Sequence, residues 1–195
     1  MGTLKELLAN VCNTASCLEE GHIVWNQRPY PTIHIRVDGR FIKSTKVKKN
    51  DCLLLCDPSR TRTFVVFVEV KRRSYTLDEV VEQLQTGRDA FNEAMTEVNR
   101  AFEDANVVFP MLPRSLQTHG VARRIAKSLS NIRRNRYKIV PVLCAKAKTR
   151  KILEKSSLHK RVALSPRFKI RTGKNYEPIR FVESGASLWD VVISP

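Results

Sequence analysis

Asp51, Glu69 and Lys71 are the residues of this 195-residue chain whose types and spacing suggest chemistry. They bracket the stretch KNDCLLLCDPSRTRTFVVFVEVKRR, in which two apolar runs, DCLLLC and FVVFV, are separated by PSRTR. That order reads as a β-hairpin with a polar turn. Side chains alternate along a strand, so Glu69 and Lys71 share a face, with Val65 and Phe67 behind them. Taking Arg60 as the midpoint of the turn, Asp51 falls opposite Glu69, with Cβ atoms about 5 Å apart in such a pair. Two carboxylates that close repel each other unless a cation lies between them, and hard oxygen ligands that leave room for several waters suit Mg²⁺, with Mn²⁺ as a substitute. With Lys71 alongside, the chemistry is hydrolysis of a phosphodiester: the metal activates a water and stabilises the charge that builds on the phosphate. A plainer reading also exists, because Glu-x-Lys at a strand end is a common cross-ladder ion pair and Asp before a strand is ordinary.

The elements that must position these residues are legible in the pattern around them. FVVFV is apolar on both faces, which predicts a strand central in its sheet. Thr76 followed by Glu79 is a capping-box pattern, and Val80, Val81, Leu84, Phe91, Ala94, Met95, Val98, Ala101 and Phe102 continue a helical stripe to about Ala105, interrupted at Gly87. Pro110 and Pro113 end that segment. Thr3 and Glu6 repeat the capping box before Leu4, Leu7, Leu8, Val11 and Cys12, which predicts a first helix from about Leu4 to Leu18. HIVW (His22–Trp25) and TIHIRV (Thr32–Val37) read as strands. VARRIAKSLSNIRR (Val121–Arg134) reads as a short basic helix, KIVPVLCA (Lys138–Ala145) as a buried strand despite Pro141, and TRKILEKSSL (Thr149–Leu158) as a helix. KIRTGKN followed by PIRFVE predicts a late hairpin turning at Gly173-Lys174. Helix, antiparallel strands, long helix, strand and helix describe an α/β or α+β three-layer domain.

Charge is the loudest global signal. The chain carries 35 Lys and Arg against 19 Asp and Glu, a net charge of +16. From Arg114 to Lys174 there are 19 basic residues and one acid, Glu154, whereas Asp78 to Asp104 is acidic by contrast. Such separation predicts a face that meets a polyanion, nucleic acid being the commonest, with Arg123, Arg124, Lys127, Arg133, Arg134 and Arg136 as its best representatives. No apolar run approaches the roughly 20 residues that span a bilayer, so no membrane role is expected. The five cysteines are odd in number and contain no Cys-x-x-Cys pair. Cys52 and Cys56 point to one buried face, and free thiols of this kind imply a reducing compartment, cytoplasmic or nuclear. His22, His34, His119 and His159 lack metal spacing, and no glycine-rich phosphate loop is present.

Asp51, a hairpin, Val68-Glu69-Val70-Lys71 and then a helix bearing Gln83 resemble the PD-(D/E)XK nuclease superfamily, the restriction-endonuclease-like fold. VEVKRRSYTLDEVVEQLQ is similar to the small Holliday-junction-resolvase-like nucleases within it. The resemblance covers about residues 3 to 106, with KIVPVLCA as the following strand. It implies a three-layer core with a central mixed sheet flanked by helices, in one nuclease-like domain over residues 1–195, with a basic helical insertion at about 110–137 and a basic C-terminal part at about 146–195. It also implies Asp51 and Glu69 as metal ligands with the Val70 carbonyl, Lys71 orienting the attacking water or offsetting phosphate charge, and Gln83 beside them. Many members add a glutamate from the first helix; Glu6, Glu19 and Glu20 are the candidates, and a helix packed back on the strand before Asp51 favours Glu6. The residue before Asp51 is Asn50, where the family pattern has proline. Asp57 is the competing acid, about six residues of strand away from Glu69 and so too far to pair with it.

The functional expectation is therefore a magnesium-dependent endonuclease acting on nucleic acid, DNA foremost, with a homodimer or a larger nucleoprotein complex as its possible assemblies. Two alternatives share the residues: a non-catalytic nucleic-acid-binding protein on the same fold, and a basic protein–protein adaptor.

Overall fold

The structure, a computed structural model, describes residues 3–12, 31–37, 50–71, 75–145 and 169–183. The strand expected over His22–Trp25, the helix expected over Thr149–Leu158, and Glu19 and Glu20 lie outside these residues.

The DCLLLC and FVVFV runs form β3 (Cys52–Ser59) and β4 (Arg62–Lys71), an antiparallel pair. The preceding TIHIR is β2 (Thr32–Arg36), antiparallel to β3. At the edge stands a two-residue strand, β1 (Val11–Cys12), paired antiparallel to β2. After the helices, β5 (Tyr137–Ala145) runs parallel to β4, and β8 (Arg180–Glu183) runs parallel to β5. The order β1-β2-β3-β4-β5-β8 makes a six-stranded mixed sheet with β4 in its middle, and the fold is α+β.

Both faces of β4 are buried. Val65 and Phe67 face a core shared with Leu53, Leu55, Leu84, Phe91, Ile125 and Leu129, where Phe67 meets the Phe91 ring edge-on at 5.8 Å between centroids. Val66 and Val68 join Cys52, Leu54, Cys56, Val140, Val142 and Cys144 in a second apolar layer on the other face. A strand apolar at every position needs such burial on both sides, and so occupies the sheet centre.

Three helices cover the first face: α1 (Leu4–Ala9), α2 (Leu77–Thr96) and α4 (His119–Arg133). Both capping boxes form, Thr3 with Glu6 and Thr76 with Glu79, each pair exchanging side-chain and backbone hydrogen bonds at 3.0–3.2 Å. Two helices are shorter than their apolar stripes predict. α1 stops at Ala9, because the chain enters β1 and the Asn10 side chain bonds back to the Glu6 carbonyl at 2.7 Å. α2 stops at Thr96, and Asn99 and Asp104 cap new short turns, including α3 (Ala105–Val108), by accepting from Ala101 N and Asn106 N. An Asn or Asp side chain that captures a backbone N–H restarts a helix rather than continuing one.

Pro141 sits inside β5, yet β8 pairs only from Val142 onward, so the proline precedes the stretch where β5 is flanked by strands on both sides. The late hairpin turns at Gly173-Lys174 as expected, with Gly173 at φ +65°, but its arms are β6 (Lys169–Thr172) and β7 (Asn175–Pro178). RFVE leaves that hairpin and becomes β8 of the main sheet, which corrects the pairing expected for it. Among the described residues no helix is long and apolar enough to cross a membrane.

Candidate active site

The β3–β4 ladder pairs Cys52 with Val68, Leu53 with Phe67 and Leu54 with Val66, and extending it one step sets Asp51 beside Glu69. Asp51 N donates to the Val68 carbonyl at 3.1 Å. Its carboxylate then continues the ladder in place of backbone: Oδ2 accepts from the Val70 N–H at 2.6 Å. A charged acceptor on a backbone donor is a strong, short contact, and it fixes the carboxylate against the end of β4.

Glu69 is 2% exposed. Lys71 Nζ stands 2.7 Å from its Oε1, while its Oε2 has no hydrogen-bond partner among the described residues. Burial raises the Glu69 pKa to about 8, the Asp51 charge adds to the rise, and the hydrogen bond and charge of Lys71 oppose it. The ammonium therefore does not fully compensate the desolvated carboxylate, and the site favours a neutral Glu69 unless more positive charge arrives. Lys71 Nζ also donates to Gln83 Oε1 at 2.7 Å. Gln83 is on the second turn of α2, the helix whose capping box starts it five residues beyond Lys71. The structure thus brings Asp51, Glu69, Val70, Lys71 and Gln83 together at the C-terminal end of β4.

Glu6 is held elsewhere. Its carboxylate accepts from Thr3 N in the capping box, and the neighbouring Leu4 N donates to Glu97 at the far end of α2. Gln83 and Glu97 are fourteen residues apart on or at the end of one helix, about 21 Å at 1.5 Å per residue. The cause is β1. Asn10 O accepts from Arg36 N beside the Asp51 end of the sheet, so the extra strand puts the C-terminus of α1 at that end and its capping box away from it. The expectation that a helix packed back on β2 would present Glu6 did not include a strand following so closely on that helix.

The sequence reading passed over two residues here. Asn50 is fully buried; its Nδ2 donates to the Cys52 carbonyl at 2.7 Å, with the Val68 carbonyl at 3.5 Å. Its Oδ1 lies against Gly87 of α2, where a Cβ would come to 1.7 Å. The signal was present: Gly87 follows Gln83 by four residues, on the same helix face, where only a close backbone approach explains a glycine. Cys144, on β5 beside Val70, feels the same charge; burial and then Asp51 push its thiol up to about 12.

Asp57 is remote from Glu69, as expected. It is 5% exposed and accepts from Thr63 Oγ1 at 2.6 Å and Ser128 Oγ at 3.0 Å. It pins α4 to the hairpin. The basic residues stand at that end too. α4 leads into β5, whose first residue Tyr137 pairs with Thr63 at the start of β4, so Arg123, Arg124, Lys127, Arg133, Arg134 and Arg136 lie at the opposite end of the sheet from the acids. Arg62 and Glu69 are seven residues apart on β4, about 23 Å. Arg133 and Arg134 are both bonded to Glu103, and the hydrogen bond from Arg133 is the main cause holding that carboxyl below its usual range. Arg124 lines a separate cavity with Val11, Ile33 and Leu116.

Among the described residues no group of three or more His, Cys, Asp or Glu side chains converges for a metal. The donor set at the acid pair is two carboxylates, one with an orphaned buried oxygen, and the adjacent Val70 carbonyl. That set fits magnesium, which keeps several waters and takes one or two protein carboxylates, and does not fit zinc. No family model matches the chain, and neither a curated protein nor a solved structure matches it.

Proposed function

We propose that the protein is a metal-dependent nuclease of restriction-endonuclease-like architecture that hydrolyses phosphodiester bonds of nucleic acid, DNA foremost. The observation that carries this reading is the Glu69 carboxylate: buried, with Oε2 unpartnered among the described residues, Asp51 across the ladder and Lys71 at 2.7 Å. A purely structural ion pair has no need of a second carboxylate that raises the cost of ionising the first.

Asp51, Glu69 and the Val70 carbonyl would hold Mg²⁺, which when bound lowers the pKa of a coordinated water and stabilises negative charge on the phosphate. The rest is the chain's own work. The Val70 N–H holds Asp51 in place before any ligand arrives. Burial raises the Glu69 pKa, so a cation that binds its carboxylate displaces protons and binding tightens as pH rises. An ammonium has three N–H donors; Lys71 directs one at Glu69 and one at Gln83, and among the described residues the third has no partner, so it can meet a water or a phosphate oxygen. Gln83, anchored on α2, keeps that third donor aimed.

The test is incubation of supercoiled plasmid DNA and a labelled RNA with the purified chain. Nicking with Mg²⁺ or Mn²⁺, none with EDTA, and none from Lys71→Ala at an unchanged melting temperature are the expected results. Wild-type protein that cleaves neither substrate with either metal refutes the proposal. The placement of the acids and the basic residues at opposite ends of the sheet favours one second reading, a nucleic-acid-binding protein whose acids are structural, and the same assay separates the two.

A further inference from the structure

The β3–β4 hairpin, α4 and the chain after it enclose a cavity of about 310 Å³ whose lining includes Arg60, Arg123, Lys127, Arg134 and Arg136. Three elements supply the five cations: Arg60 from the hairpin tip, Arg123 and Lys127 one turn apart on α4, Arg134 and Arg136 from the turn into β5. Glu103 is the lining carboxylate, and it is taken up by Arg133 and Arg134. Arg60, Arg123 and Arg136 are exposed and have no carboxylate partner among the described residues.

The bland explanation is that cations gather at the C-terminus of α4 to offset its dipole. It covers Arg134 and Arg136. It does not cover Arg123, in the second turn of α4, nor Arg60 on another element.

The cavity is also built on a fixed base. Asn135, at φ +56°, closes a Schellman-type turn in which Arg136 N donates to the Asn131 carbonyl at 2.8 Å, and the Arg136 carbonyl accepts from Thr63 N at 3.1 Å. Beneath it, Asp57 takes hydrogen bonds from Thr63 and Ser128, and Asn131 donates to Thr63 Oγ1 at 3.1 Å. Lys127 Nζ reaches the Ser59 carbonyl at 3.3 Å. An apolar contact would hold α4 on the sheet equally well; a connected polar network sets one relative position of hairpin and helix. The positions so fixed are those of Arg60 and Arg123.

We propose that this cavity is a phosphate-binding anchor for the backbone of a nucleic acid, distinct from the acid pair and non-catalytic. The inference rests on the nucleic-acid part of the proposed function and not on the hydrolysis. Backbone phosphates suit it because planar guanidiniums bind them bidentately, which positions a strand without reading sequence. The cavity and the acid pair stand toward opposite ends of β4, whose Arg62 and Glu69 are about 23 Å apart along the strand, about seven steps of a duplex at 3.4 Å each.

The experiment measures binding of a fluorescein-labelled 20-base-pair DNA duplex to the full chain in EDTA, across a salt series. Arg60→Ala/Arg123→Ala/Arg136→Ala should raise Kd at least tenfold and lower the slope of log K against log salt by about 2–3, at roughly 0.9 per phosphate contact. Lys5→Ala/Lys174→Ala, the control pair, removes two exposed charges outside the cavity lining and should change Kd less than threefold. If the triple variant melts early, Arg123→Glu, a single exposed change, carries the test with the same tenfold expectation. Affinity and slope unchanged in the cavity variants overturn the anchor, and so does an equal loss in the control pair, which would mean diffuse charge alone. Sodium tripolyphosphate separates the two sources of phosphate: thermal stabilisation by it at micromolar concentration, with duplex binding indifferent to the cavity variants, would reassign the site to a free polyphosphate. Duplex bound through the cavity but never cleaved would sink the hydrolysis and leave the anchor standing.

Discussion

Gly87→Ala tests the packing behind the acid pair. In the middle of an exposed helix the change would add about 1 kcal/mol of helix propensity. Here the new methyl comes to 1.7 Å from Asn50 Oδ1 and 2.7 Å from its Cγ, and Asn50 is fully buried between α2 and the start of β3. The side chain must move, and its Nδ2 then gives up the Cys52 carbonyl, leaving a buried donor and acceptor unpaired at a cost of about 1–3 kcal/mol. Overpacking adds about 1–3 kcal/mol. Set against the propensity gain, the net loss is about 1–5 kcal/mol, or about 2–20 °C of melting temperature for a chain of this size. Asn50→Ala removes the obstacle, so in that background Gly87→Ala should stabilise by up to about 1 kcal/mol. The sign inversion is the diagnostic result, read by urea melts of the four proteins of the cycle. An additive cycle, or a Gly87→Ala protein as stable as wild type, would refute the contact. Because Asn50 precedes Asp51, the proposed nuclease activity should also be slower in the single mutant.

Metal-free stability should fall with pH. The folded pKa of Glu69, about 8, lies above the ordinary glutamate value of 4.5, so between those pH values the native state holds a proton the unfolded state has released. Stability is then fully present below about 4.5 and declines by about 3–5 kcal/mol up to pH 8; Glu69→Gln should flatten the profile, and Mg²⁺ should restore wild-type stability most at the alkaline end. An identical decline in Glu69→Gln would show that other groups cause it. Asp57→Ala should cost about 2–4 kcal/mol in urea unfolding, since Thr63 and Ser128 lose their shared buried acceptor, and should lower duplex affinity through the displaced hairpin; a stability change under about 0.5 kcal/mol, the range of ordinary surface substitutions, would contradict the network.

The local elements were legible because their signals are local. Alternation on both faces marked β4 as central, and Thr76 with Glu79 marked the start of α2. The tertiary directions were less so, for nameable reasons. β1 is two residues long, too short to leave a period, yet it reverses α1 and removes Glu6 from the site. The remoteness of the basic helix, by contrast, was derivable. If Glu69 ends one strand and the next strand lies parallel beside it, the segment entering that next strand arrives at the opposite end of the sheet. Charge counting alone placed Arg123 to Arg136 on a substrate surface without asking which end of the sheet it occupied.

The facing of Asp51 and Glu69 has a cause that sequence spacing conceals. The hairpin closes with Ser59 opposite Arg62, a two-residue loop of Arg60 and Thr61. Continued without interruption, that register would set Asp51 opposite Val70, and the acids would no longer share a rung. Between Cys56 and Ser59 the register shifts: Asp57 and Pro58 together oppose Thr63, a β-bulge of one extra residue. The shift returns Cys52 to Val68 and so Asp51 to Glu69. A midpoint at Arg60 therefore gives the right rung, although the turn itself is centred between Arg60 and Thr61. Pro58 has no N–H to lose at such a place, and the Asp57 carboxylate fastens the bulge to Thr63 and to α4. The buried network at the basic end of the sheet thus does two things at once. It holds Arg60 and Arg123 around the cavity, and it determines which residue stands across from Asp51 about 20 Å away, since a slip of one residue anywhere in a ladder is felt along its whole length.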